Sequence, residues 1–216
     1  MVRAIANLDR VVVIAQTSRS VIPVMAPTGQ VFSHMLVVFA TDDTAMLAIL
    51  SSSVHFLWVE SRGSTLETRI RYIPTDVFQT FAMPALTDEM RDLGSYLDTF
   101  RADVLLARGS GLTKTYNLVF DPTCTDADIK ELRAIHRAID EAIVRAYGWA
   151  DRVAKVGGLD HGFHKIGREV RYTVAPAAQR EILDSLLELN HDRYADEVAQ
   201  GLHDTERRCG NEERLF

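Results

Sequence analysis

Three arginines carry the most suggestive chemistry in the sequence. Arg62, Arg69 and Arg71 lie in the stretch RGSTLETRIRYIPTDVFQTFAMP (62–84). A guanidinium offers a planar fork of donors that matches phosphate oxygens and the major-groove edge of guanine. From Leu66 to Tyr72 the side chains alternate, which predicts a strand with Leu66, Thr68, Ile70 and Tyr72 on one face and Glu67, Arg69 and Arg71 on the other. One face can pack while the other presents charge. Phe78 and Phe81 follow between Pro74 and Pro84. Three apart, they fall on one side of a single helical turn that Thr75 or Asp76 can open and Pro84 stops.

Other groups with chemical potential have plainer explanations. His161 and His164 form an H-x-x-H, but a metal site usually needs a third ligand on a rigid support, and this pair lies in the glycine-rich GGLDHGFHKIG (157–167). Asp121-Pro122 followed by Asp128 and Lys130 has the residue types of a nuclease cluster, yet Asp128 and Lys130 stand two apart at a helix start and face different ways. Helix capping accounts for them better. Gly109-Ser-Gly111 with Lys114 lacks the G-x-x-x-x-G-K-[ST] spacing of a phosphate loop, so it reads as a turn between helices. The sequence contains neither a glycine-rich nucleotide fingerprint after a strand nor a G-x-S-x-G elbow.

The elements that must hold these residues separate into two halves. Residues 11–15 (VVVIA) and 31–40 (VFSHMLVVFA) read as strands, with turns at TSRS and APTGQ. Asp42 and Asp43 can cap a helix over about 44–60 that buries Ala48, Leu50, Val54, Leu57 and Trp58. Past Pro84, helical periods run over about 86–106, 125–147 and 177–200, the second through Ile129, Leu132, Ile135, Ile139 and Ile143. A brief strand, REVRYTV (168–174), follows the glycine-rich loop, and Thr205–Phe216 reads as a polar tail. At 216 residues and 47% hydrophobic composition the chain can bury a substantial core. Residues 1–84 carry six basic and six acidic side chains, whereas 85–216 carry eighteen and twenty-four. Arginine supplies twenty of the twenty-four basic residues, but a pI near 5.6 is wrong for a freestanding strong nucleic-acid binder. Cys124 and Cys209 show no zinc or redox spacing, and no apolar run reaches the roughly 20 residues of a bilayer span. A cytoplasmic, reduced protein without a bound metal is the expectation.

Four blocks together resemble a known family. LDRVVVIAQTSRSVIPVMAPTGQVFSHMLVVFA (8–40), SSSVHFLWVESRGSTLETRIRYIPTDVFQTFAMP (51–84), GLTKTYNLVFDP with DIKELRAIHRAIDEAIVRAYGW (111–149), and GFHKIGREVRYTV with LLELNHDRYADEV (162–198) are similar, in this order, to the C-terminal region of MmeI-like restriction-modification proteins. Those are single-chain adenine-specific DNA methyltransferases of type IIG or IIL, often fused to a nuclease. The resemblance covers roughly residues 5–204. It implies an α+β fold: the C-terminal part of a β-rich target recognition domain at 1–84, a mainly helical module with one short strand at 85–204, and a tail at 205–216. Neither the N-P-P-[YF] loop that holds a flipped adenine nor a cofactor glycine loop occurs in the sequence. S-adenosylmethionine is thus expected only in a catalytic half, and this chain is expected to have no catalytic residues. A truncated gene, a split pair and a separate specificity subunit are all compatible with that. Double-stranded DNA and a methyltransferase or nuclease half, in cis or in trans, are the implied partners.

The resemblance also implies roles. Arg69 and Arg71 would present donors to DNA, with Arg62 beside them, and the Thr17-Ser18-Arg19-Ser20 turn, through Ser18 and Arg19, is a second candidate. Phe78, Phe81 and Pro84 would fix the joint between the recognition sheet and the helices. A solvated strand face with local Glu67 pairing is the alternative for the arginines. Tyr147 and Trp149 read as packing groups, and Arg133 reads as a helix-surface charge away from the proposed face. Two other classes stay open: a DNA-binding module without partners, and a protein-interaction subunit that docks a methyltransferase without contacting bases.

Overall fold

A computed structural model describes residues 2–66, 69–167 and 169–202. The first half begins with β1 (Arg10–Ala15), β2 (Thr17–Ser18), β3 (Val24–Pro27) and β4 (Leu36–Phe39), followed by helices α1 (Thr44–Leu50) and α2 (Ser53–Arg62) and strands β5 (Ser64–Leu66) and β6 (Arg69–Arg71). Helices dominate afterwards: α3 (Asp88–Arg108), α4 (Leu112–Val119), α5 (Ala127–Ala146), α6 (Ala150–Lys155) and α7 (Pro176–Ala199), with a hairpin of β7 (Gly162–Ile166) and β8 (Glu169–Thr173) before the last. The fold is α+β, with small antiparallel sheets first and helices after. No described helix is long and apolar enough to cross a membrane.

Strand β1 is the centre of a three-stranded antiparallel sheet in the order β3-β1-β4. Its apolar run VVVI is explained by burial on both faces. Val12 and Ile14 join the main core, while Val11 and Val13 close a smaller cluster with Ile5 and Phe32. A second sheet has the order β2-β6-β5. The expected strand over 31–40 forms only at Leu36–Phe39. Residues 31–35 are loop, with Phe32 turned into the small cluster and Val31 and Met35 exposed.

The expected helix over 44–60 is two helices. Asp43 caps α1 by accepting from the Ala45 amide at 2.9 Å, as the sequence suggested, but Ser51 ends that helix and Ser52 starts another, its Oγ accepting from the His55 amide at 3.0 Å. Serine competes with the backbone for hydrogen bonds, so a pair of them interrupts a helix that apolar spacing alone would continue. The start of α1 lies against α3 at Gly94, where a Cβ would collide with the Thr44 carbonyl. Thr87 caps α3, and Gly109, in the left-handed region at φ 53°, ends it.

The glycine-rich segment 157–167 is half strand. Gly162–Ile166 pairs antiparallel with Glu169–Thr173, in a register running from Gly162 opposite Thr173 to Ile166 opposite Glu169. Period-2 patterning is weak in GFHKI because no position in it but Ile166 is buried.

One core runs through both halves. It includes Ile14 of β1, Leu47 of α1, Trp58 of α2, Leu97 of α3, Ile139 of α5 and Ile182 of α7. The Phe-Pro segment is packed into it. Phe81 is 5% exposed and meets the His55 ring edge-on at 5.2 Å, and Phe78 meets Phe39 at 4.8 Å. The backbone from Val77 to Met83 is bonded from three helices. Trp58 Nε1 of α2 donates to the Val77 carbonyl, Tyr147 Oη to Ala82, Asn190 Nδ2 to Thr80 and Arg193 Nη2 to Met83, at 2.6 to 3.1 Å. Tyr147 in turn stacks on Trp149 at 4.0 Å and 4°. The proposed tail, 205–216, and Cys209 lie outside the described residues.

Candidate nucleic-acid interface

The expected single strand from Leu66 to Tyr72 is a hairpin instead: Leu66 ends β5 and stands opposite Arg69 of β6. Within β6 the two central arginines alternate with Ile70 as expected. Ile70 is buried at 8% exposure, while Arg69 and Arg71 on either side of it are exposed. Antiparallel pairing sets Arg71 opposite Thr17 of β2 and Ser64 of β5, and Arg69 opposite Leu66. Directly opposed residues share a face of the sheet, so Thr17 lies with the arginines. Ser18 stands opposite Ile70 and belongs to the inner face, which separates it from them. Its Oγ accepts from the Val21 amide at 3.0 Å and shapes the following turn instead. Glu67 and Thr68 lie outside the described residues, and the Glu67 pairing with them.

Arg62 is drawn elsewhere. It occupies the last turn of α2, where its guanidinium lies 4.7 Å from the centre of the Trp58 ring, a cation–π contact that fixes the stem while the residue stays exposed.

The turn after β2 is strained and clamped. Val21 adopts φ 44°, a conformation that a β-branched residue reaches only at a cost of about 1–3 kcal/mol. Arg171 of β8 holds the turn, donating from Nη2 to the Ser20 carbonyl at 2.9 Å. Its guanidinium is sandwiched between Phe56 at 3.8 Å and Phe120 at 4.2 Å. Burial pushes the Arg171 pKa down to about 10, which still leaves it charged at neutral pH. On the outer side of the turn, Arg19 Nη2 meets Glu169 Oε1 at 2.6 Å, with 65% and 43% of the two side chains exposed.

Behind this turn lies a cavity with a water-accessible volume of about 40 Å³, walled by Val21, Phe56, Phe120 and Arg171 and floored by polar side chains of α5. That is room for one to a few waters. His136 Nε2 lies 3.0 Å from Tyr116 Oη. Arg101, 2% exposed, donates to the Pro23 carbonyl at 3.0 Å. Asp140 accepts from the Ser53 amide at 2.7 Å and pairs with His161 Nε2 at 3.0 Å. His164 faces another way, its Nε2 3.2 Å from the Asp160 carbonyl. The two histidines of the H-x-x-H therefore have separate partners, and no cluster with metal-ligand character occurs among the described residues. Gly109 and Gly111 end α3 and begin α4, as a turn between helices should.

Asp128 accepts from the Ile129 amide at 3.0 Å in the first turn of α5, in line with the helix-capping reading, and also pairs with Arg108 at 2.6 Å. Asp126 precedes α5 but makes no side-chain cap and pairs with Arg108 at 2.7 Å. One expectation is corrected. Arg133 is not a surface charge. Only 8% exposed, it donates to the carbonyls of Leu118, Val119, Asp121 and Cys124 at 2.7 to 2.9 Å, closing the end of α4. Its position was readable: Arg133, His136 and Asp140 fall four, seven and eleven residues after Ile129, on the buried stripe of α5. Arg137, exposed on the same helix, has the surface character first attributed to Arg133.

The positive-φ glycines among the described residues sit at helix ends and in the 157–167 segment.

Comparison with known proteins bears on the sheets directly. Residues 3–85 match the family described as MmeI, target recognition domain. A curated relative, DNA methyltransferase A of Bacillus subtilis (strain 168), is 25% identical over 135 residues, which cover 62% of this chain and 15% of that protein. Among solved structures, the type IIL restriction-modification enzyme MmeI in complex with DNA shares the fold at a TM-score of 0.57 and 17% identity, over 87% of this chain and 22% of that one. The chain thus spans less than a quarter of the length of either.

Proposed function

We propose, from the premise that residues 3–85 belong to the MmeI target recognition domain family, that this chain is the DNA sequence-recognition part of an adenine-specific restriction-modification methyltransferase. One observation carries the reading: exposed Arg69 and Arg71 flank buried Ile70 on a sheet inside the matched residues. A rigid strand that buries every second side chain holds the others at fixed height and spacing, which is what readout of base edges requires. Methyl transfer belongs, on this reading, to a catalytic half in cis or in trans that holds S-adenosylmethionine. The relatives' greater length supports that division.

The test is titration of the chain against labelled duplexes of varied sequence, with Arg69→Ala, Arg71→Ala and the exposed Arg137→Ala compared. A phosphate contact lowers affinity on all sequences and reduces the salt slope by about one, whereas a guanine contact costs about 1–3 kcal/mol on the preferred site and relaxes one position. Equal losses from all three variants would reduce the effect to net charge and refute the strand's role. Retained complex formation with a methyltransferase and no duplex binding would favour the protein-interaction alternative.

A further inference from the structure

The Arg19 to Glu169 pair joins the recognition half to the C-terminal hairpin, and its surroundings give it a direction. Arg19 follows Ser18, the last residue of β2, whose partner Ile70 is flanked by Arg69 and Arg71, and its side chain is exposed. Arg19 thus stands next in the chain to that surface, and it is already engaged by a carboxylate. Glu169 reaches it from β8, two residues before Arg171, so both point from one side of the strand. The two contacts differ in kind. Arg171 is sandwiched between aromatic rings and holds the Ser20 carbonyl in a partly buried contact. Glu169 and Arg19 are open to water, and an exposed pair of this type is worth only about 0.2–1 kcal/mol, so a DNA phosphate can displace the carboxylate.

We propose that Glu169 is an electrostatic gate on Arg19: it neutralises this arginine in the free protein, lowers affinity for arbitrary DNA, and yields to a phosphate only when the remaining surface is engaged. The clamp by Arg171 keeps the gate in register. Glu169 is thus a specificity-determining residue that touches no base, and it sits outside the matched residues 3–85. The proposal rests on the recognition reading given above.

The experiment measures binding of the full chain to a random-sequence duplex across a salt series from about 50 to 200 mM, where phosphate contacts dominate. Glu169→Gln keeps a hydrogen-bond acceptor for Arg19 but removes the charge. It is expected to tighten binding roughly two- to five-fold, the fold-change equivalent of an exposed pair, and to steepen the salt slope by up to about one unit. In an Arg19→Ala background the same substitution is expected to change nothing. Asp184→Asn, an equal charge change at an exposed position of α7, is expected to leave affinity where it was. No gain from Glu169→Gln, a gain that survives Arg19→Ala, or an equal gain from Asp184→Asn each overturns the gate. If Arg69→Ala and Arg71→Ala weaken binding while Glu169→Gln has no effect, the gate alone falls. If neither wild type nor Glu169→Gln binds duplex, the recognition reading falls and the gate with it.

Discussion

Acid should unfold this protein through two histidines before most of its carboxylates titrate. His55 is fully buried and His136 partly so, and burial pushes each pKa from 6.5 down to about 4. His55 donates from Nδ1 to the Leu50 carbonyl at 3.2 Å, which leaves Nε2 to accept from Tyr72 Oη at 3.1 Å. His136 has Nε2 3.0 Å from Tyr116 Oη, with Asp140 favouring its charged form and Arg101 and Arg171 opposing it. A second proton on the His55 ring would face a hydroxyl already committed as donor.

Because the folded pKa lies below the unfolded one, this stability is whole above about pH 6.5 and is lost as pH falls toward about 4. At pH 5 nearly every unfolded imidazole is protonated but only about a tenth of the folded ones, so each histidine costs about 2 kcal/mol relative to pH 7.5, and the pair about 4. Against a total of about 5–15 kcal/mol, that is a large share. Reversible urea unfolding at the two pH values measures it. Wild type is expected to lose about 4 kcal/mol and His55→Gln about 2 over the same interval. A wild-type loss below about 1 kcal/mol would refute the neutral pair, and an unchanged loss in His55→Gln would remove His55 from the argument.

Two further outcomes test the packing. Phe81→Ala should destabilise by about 3–5 kcal/mol, the cost of deleting a buried phenylalanine, and a loss under about 1 kcal/mol in a urea titration would contradict the packed joint. Arg133→Ala leaves four carbonyls at the end of α4 without their donor and should cost about 3–5 kcal/mol. Arg133→Lys should recover only part of this, since an ammonium on a single stem lacks the planar fork, so full rescue by lysine would show that charge rather than geometry matters there.

How far the sequence revealed this arrangement depended on whether a residue's role was local. Alternation around Ile70 placed Arg69 and Arg71 correctly because strand period is set by the backbone. Asp43 caps its helix through a bond two residues away, the range at which local pattern works. Failures came from long-range partners. Arg108, eighteen and twenty residues before Asp126 and Asp128, is a partner for them that no local pattern discloses. Arg133 was read as charge on a surface although the helical period put it on the buried stripe, because four carbonyl acceptors are invisible in composition. The clamp of Arg171 on Ser20 spans 151 residues, and only the folded hairpin discloses it.

The continuity of the core has a consequence for how specificity can be altered. Ile14 of the first sheet and Ile182 of the last helix belong to one apolar cluster, with α1 lodged against α3 at a glycine that admits no side chain. A graft cut at residue 84 would bare the inner stripes of α3, α5 and α7 and hand them a foreign surface to fit. On the recognition reading, changes of preference are therefore confined to outward positions, one side chain at a time, and cassette exchange would have to carry the helices along with the strands.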